Sequence, residues 1–157
     1  MRVVQMSVPE IYIVGAFESN AQHGARGGIG VYWGPDNPRN VSERLKGDQT
    51  INRAAIRAAV RALGQARAEN LREIRIFSDS EFLITSVNQG LGLWQRTGWT
   101  TVTGQPVENR EDFEDLIIAS TGIPAVHWRR VEDHSRNLDI EAADQLAREG
   151  LLKKLLP

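Results

Sequence analysis

Apolar positions near the start of the chain come in short, dense runs separated by turn residues. Ile11 to Phe17 and Ile29 to Trp33 read as strands, and Val41 to Leu45 as a third, with Val41 and Leu45 inward and Glu43 outward. Gly24, Gly27 and Gly28 mark the first turn and Gly34-Pro35-Asp36-Asn37-Pro38 the second, so these strands predict an antiparallel meander. The period then changes. Ile56, Val60, Leu63 and Arg67 fall on one helical face from about Ile51 to Glu69, with Thr50 placed as N-cap. Ile74 to Phe77 predicts a fourth strand, and Glu81 to Gln89 a short helix interrupted by Gly90 and Gly92. Glu111 to Ala119 predicts another helix, Ala125 to Trp128 a fifth strand, and Leu138 to about Leu156 a terminal helix. A meander followed by alternating strands and helices predicts an α/β domain, a mixed five-stranded sheet flanked by helices.

A chain of 157 residues suits one domain with a sizeable core. Segment boundaries divide it into an N-terminal extension (1–9), the domain proper (10–150) and a helix end or tail (151–157). There is no cysteine, which excludes a disulfide framework and a thiolate metal site. No apolar run reaches the ~20 residues of a membrane helix, and Met1 to Pro9 lacks a signal-peptide core. An intracellular location, nuclear or cytoplasmic, is the default expectation. The formal net charge is −1, whereas nucleic-acid-binding domains are usually basic, so overall charge gives polyanion binding no support.

Chemistry concentrates in a few short motifs. Asp79 ends a strand pattern in Phe77-Ser78-Asp79-Ser80, and Asp144 lies on the terminal helix in Glu141-Ala142-Ala143-Asp144-Gln145-Leu146-Ala147. With them occur Tyr12-Ile13-Val14-Gly15, Gly27-Gly28-Ile29-Gly30-Val31-Tyr32-Trp33-Gly34, Gln49-Thr50-Ile51-Asn52-Arg53-Ala54-Ala55-Ile56 and Asp133-His134-Ser135. In order and spacing, from roughly Glu10 to Gly150, these segments resemble a type 1 ribonuclease H domain, of the eukaryotic ribonuclease H1 kind.

The resemblance implies a ribonuclease H-like fold and, in the family, hydrolysis of the RNA strand of RNA–DNA hybrids by two Mg2+ ions held on four carboxylates. Two-metal hydrolysis needs dense negative charge to hold both cations against the scissile phosphate. Here Asp79 and Asp144 match two ligand positions, while the other two read Val14 and Ala55. Glu18 is four strand residues beyond Val14, roughly 13 Å, too far to substitute. Glu81 and Glu141 stand nearer to Asp79 and Asp144, but neither restores a bridging ligand on the central strand. His134 matches the family's mobile histidine, in a loop that has lost both flanking glycines. Each residue also has a plainer reading: Asp79 as a helix N-cap, Asp144 as a solvated helix residue and His134 as a surface histidine.

The resembling substrate groove is likewise eroded. Asp48 replaces an arginine that helps hold a DNA phosphate, Ile51 replaces an amide, and Gly90 replaces the first of two channel tryptophans. Asn20, Thr50, Asn52, Trp94 and Asn109 keep groove residue types, while Trp33, Trp99 and Trp128 read as core. The expectation is a catalytically inactive domain that works as a protein-interaction or scaffolding module in an RNA-related assembly, with a protein partner, no metal and no cofactor. The alternative is a non-cleaving binder of RNA–DNA hybrid or double-stranded RNA. An active ribonuclease would need Glu81 or Glu141 as rearranged ligands. The apolar Leu152, Leu155 and Leu156 form a further candidate contact stripe.

Overall fold

The computed structural model describes residues 7–155, so Met1 to Met6 of the expected extension and Leu156 of the expected stripe lie outside it. Five strands form one sheet: β1 (Glu10–Asn20), β2 (Gly24–Tyr32), β3 (Val41–Arg44), β4 (Glu73–Ser78) and β5 (Ala125–Arg130). Their spatial order is β3-β2-β1-β4-β5, antiparallel from β1 to β3 and parallel from β1 through β4 to β5. The meander and the mixed sheet are as the pattern predicts. Among the described residues no helix is long and apolar enough to cross a membrane.

Side-chain alternation on β1 divides the core. Ile11 and Ile13 face the long helix α1 (Ile51–Ala68), while Val14 and Ala16 face the terminal helix α5 (Leu138–Leu151). The buried face of α1 differs from the expected one. Ile56 and Leu63 are buried, but Val60 is half-buried and Arg67 exposed, and the stripe is completed by Ala54, Ala55, Ala58, Ala59, Ala62 and Ala66. Alanines let the helix lie close to the sheet, and Gly15 completes the fit. A Cβ on Gly15 would stand 2.4 Å from the Ala55 backbone nitrogen. On the opposite face Gly30 takes the same part for α5: a Cβ there would stand 2.0 Å from the Ala143 carbonyl oxygen. Gly27 and Gly28, expected in the first turn, therefore belong to β2. The turn itself is Ala21-Gln22-His23, with Asn20 Oδ1 accepting the backbone N–H of Gln22 at 3.0 Å and of His23 at 2.8 Å.

Two expected helix ends also move. α2 (Glu81–Thr85) does not stop at Gly90 but runs through a π-helical turn at Ser86–Gly90 into α3 (Leu91–Thr97). Phe82, Val87, Leu91 and Trp94 pack on the core along this segment, and that burial outweighs the weak helix propensity of glycine. The helix ends instead at Gly98, which adopts φ 70°. α5 ends at Leu151, so Leu152 and Leu155 do not extend a helical stripe; they are 64% and 44% exposed. The remaining helix, α4 (Arg110–Ser120), packs beside α1. Trp99 is buried, and Trp33 and Trp128 pack partly buried against the main core.

The close helix–sheet contact is testable with two glycine substitutions. Gly30→Ala should destabilise the fold by about 3 kcal/mol, because a backbone carbonyl must move. Gly64→Ala, within α1 and in open space, should stabilise it by about 0.5–1 kcal/mol. Urea unfolding of both variants checks the contrast.

Candidate functional site

The fold gathers the four motif positions around one stretch of β1. Val14 lies on that strand, and the parallel pair Ile13↔Ser78 sets Asp79 one step beyond the end of β4, beside it. Ala55 stands against Gly15 from α1. Asp144 reaches from α5 into a cleft that it shares with Ala16, Phe17, Glu18 and Arg148. The site is thus assembled, but its chemistry differs from that of a two-metal centre.

Val14 is 2% exposed and packs with Ala16, Val131, Ile140 and Ala143. Ala55 belongs to the main core. Neither offers an oxygen ligand, and each carboxylate that remains has a cationic or hydrogen-bonding partner within the protein. His134 Nε2 lies 2.6 Å from Asp79 Oδ2. Asp144 pairs with Arg148 one turn later on α5, and that hydrogen bond raises the Arg148 pKa above its ordinary value. No group of three or more His, Asp or Glu side chains among the described residues is placed to hold a metal ion. The donor set present does not fit a pair of divalent cations, which need a bridging carboxylate and several oxygens.

The plainer readings of these residues are revised as well. The N-cap of α2 is Ser80, whose Oγ accepts the Leu83 N–H at 3.1 Å, so Asp79 does not cap it. Asp144 is not a solvated residue, its side chain being only 15% exposed. His134 is not a free surface histidine; it sits in a short 3-10 turn (His134–Arg136) preceded by Asp133, which accepts from the Ser135 N–H and hydroxyl. Those bonds hold the Asp133 carboxyl below the usual carboxylate range. The would-be substitute ligands are engaged or remote: Glu18 pairs with Arg26, Glu81 lies 3.6 Å from Arg130, and Glu141 is exposed on α5.

The groove residues have local structural roles. Thr50 caps α1, its Oγ1 accepting the Arg53 N–H at 3.1 Å, and Asn20 closes the β1–β2 turn. Asn52 is half-buried on the first turn of α1, and Asn109 precedes α4 in a left-handed conformation, φ 63°. Trp94 packs against Phe113 and Trp99, with ring centroids 5.2 and 6.1 Å away. Its ring covers Gly90, where a Cβ would come within 2.6 Å. Trp94 is therefore a packing residue rather than an open stacking platform.

A carboxylate that sequence reasoning missed organises the floor of this groove. Asp112 on α4 is buried and accepts both Arg53 Nε at 2.9 Å and Arg53 Nη2 at 3.0 Å, while Arg57 Nε lies 2.8 Å away. Arg53 Nη1 also donates to the carbonyls of Lys46 and Asp48. The guanidinium, its pKa raised chiefly by the Asp112 hydrogen bonds, ties the β3–α1 loop to α4. Only the fixed spacing of Arg53 and Arg57, one turn apart on α1, hints at this in the sequence.

Tyr12, two residues before Val14, stacks on Phe77 at 4.6 Å. Burial, then the charges of Asp139 and Glu10, push its hydroxyl up to about 12.

These arrangements carry two predictions. Asp112→Ala leaves two arginines without their buried partner and should cost about 3–5 kcal/mol in thermal or urea unfolding, whereas the exposed pair partner Glu114→Ala should cost under about 1 kcal/mol. Because the folded pKa of Tyr12 lies above its unfolded value near 10, the stabilisation is fully present below pH ~10 and is lost as pH rises towards 12. Tyrosinate absorbance should show one late-titrating tyrosine, and Asp139→Asn should bring its midpoint down.

Comparisons with known proteins agree with this architecture. The RNase H family model matches residues 7–152. The chain is 43% identical over 140 residues to ribonuclease H1 of Rattus norvegicus, covering 89% of this chain and 49% of that protein. It is 41% identical to ribonuclease H1 of Homo sapiens with the same coverage, and 34% identical to ribonuclease H of Moorella thermoacetica, covering 90% of each. The chain thus spans about half the length of the mammalian relatives. Among solved structures, foamy viral protease-reverse transcriptase in complex with RNA/DNA hybrid matches at TM-score 0.78 and 18% identity, over 96% of this chain and 21% of that one. LC9-RNase H1, a type 1 RNase H with the type 2 active-site motif, matches at TM-score 0.67 and 21% identity, over 94% and 74%. The matched span and the identity to ribonuclease H1 make this chain a member of the RNase H family, of type 1.

Proposed function

We propose that this chain is a catalytically inactive RNase H domain that serves as a protein-interaction or scaffolding module, in keeping with the RNA-related work of the relatives. The observation that carries the reading is the state of the site: Val14 and Ala55 are packed into apolar clusters, and Asp79 and Asp144 are held by His134 and Arg148. A fold does not fix a function, and this one keeps its scaffold without the donor set that metal-dependent cleavage requires. No cofactor is needed for a role in holding a partner. The local roles of Thr50 as a helix cap and Trp94 as a packing residue support the same reading.

A second reading is hybrid binding without cleavage. It is favoured by the retained Asn20, Thr50, Asn52, Trp94 and Asn109, and by a fold shared with a foamy viral protease-reverse transcriptase solved in complex with RNA/DNA hybrid. Against it, Asp48 takes the place of an arginine that, by the resemblance, would hold a DNA phosphate, so one attraction becomes a repulsion.

The test is a titration of the protein into a labelled RNA–DNA hybrid at low salt with magnesium, read by anisotropy and then on a denaturing gel. Intact RNA with weak or no binding is the expected result. Tight binding with intact RNA would establish the second reading, and cut RNA would overturn both. In parallel, the melting temperature of the wild type should be indifferent to millimolar magnesium. Val14→Asp with Ala55→Glu should lose about 3 kcal/mol or more without magnesium, since two carboxylates enter buried positions, and should regain part of it when magnesium is added.

A further inference from the structure

Away from the motif site, the edge of the sheet at β3 gathers an unusual concentration of positive charge. Arg44 and Lys46 come from β3 and the loop after it, Lys153 and Lys154 follow α5, and Arg61 stands across from Glu43 on α1. The chain folds these together across more than a hundred residues: Arg44 Nη1 donates to the Lys153 carbonyl at 3.0 Å, and Lys153 Nζ to the Ser42 carbonyl at 2.5 Å. Glu43 is the one acid in the cleft, and Arg61 holds it at 2.9 Å. Arg44, Lys46, Lys153 and Lys154 form no ion pair among the described residues.

We propose that this edge is a docking surface for an acidic and apolar peptide segment of a protein partner. The proposal rests on the interaction-module reading and gives it a location. Three observations select the occupant. First, the cations are local. Of 19 basic and 20 acidic residues, five basic and one acidic lie here, leaving 14 basic and 19 acidic elsewhere. A long nucleic acid would also meet that acidic remainder, whereas a short acidic segment meets only the patch. Second, Leu155, next to Lys154, is 44% exposed, which suits an apolar side chain interleaved with acids. Third, the Lys153 ammonium occupies the Ser42 carbonyl on the outer edge of β3. Recognition therefore runs through side-chain charge and apolar contact rather than through addition of a strand.

The experiment uses the whole chain and a fluorescein-labelled synthetic peptide of alternating acidic and apolar residues. Control probes are the same peptide with lysine at the acidic positions, and an RNA–DNA hybrid. The double variant Lys46→Glu with Lys154→Glu changes two exposed residues outside the motif site, and its melting curve serves as a folding control. Anisotropy should show binding of the acidic peptide that weakens with salt and falls about tenfold in the double variant, and no binding of the lysine peptide. Absent binding, or binding equal in wild type and variant, would sink the proposal. Hybrid binding lost in the double variant would overturn it in favour of a nucleic-acid surface. Failure of the peptide arm with intact, unbound hybrid leaves the interaction-module reading standing on another surface; cut RNA removes that reading whatever the peptide does.

Discussion

Everything in this domain depends on how closely two helices approach the central strands. α1 lies against one face of β1 on a stripe of alanines and α5 against the other face of the sheet, with Gly15 and Gly30 leaving room for backbone to meet backbone. At that separation each lost or added methyl group is felt, because interiors pack to crystal-like density. The same approach sets Val14, Ala55, Asp79 and Asp144 around one stretch of β1. The geometry of a polar centre is therefore kept by apolar packing that does not need the centre to be polar.

The shape of the site is therefore compatible with apolar side chains at Val14 and Ala55. Val14 and Ala55 extend the two cores that flank β1, adding buried apolar area where an unpaired carboxylate would be costly. The two remaining carboxylates are retained with partners from their own chain. His134, from the turn before α5, meets Asp79, and Arg148, one turn along α5, meets Asp144.

Beneath the groove a buried ionic cluster takes over part of the organising work. Asp112 binds two arginines of α1 and so fixes α4 and the loop bearing Asp48. Such a cluster is costly to break and only modestly favourable to form, so it acts mainly to set position. At the β3 edge Arg44 and Lys153, far apart along the chain, are adjacent in space and form no such ion pair among the described residues.

Much of the fold was legible in the chain itself. Dense apolar runs and their change of period located the strands and helices, Thr50 identified the start of α1, and the residue identities at positions 14 and 55 excluded oxygen ligands there whatever the fold. Local spacing carries that information because it depends only on neighbours a few residues away. Other features were decided by tertiary contact. Gly90 by itself predicts a helix break, yet packing of Phe82, Leu91 and Trp94 carries the helix through it. Gly27 and Gly28 by themselves predict a turn, yet they lie in a strand that α5 crosses closely. The partners of Asp79, Asp112 and Arg44 come from 55, 59 and 109 residues away. Sequence by itself determined which groups were available and which local conformations they preferred; only the folded chain decided which charges met, because Coulomb and packing energies depend on distances in space that residue spacing does not contain.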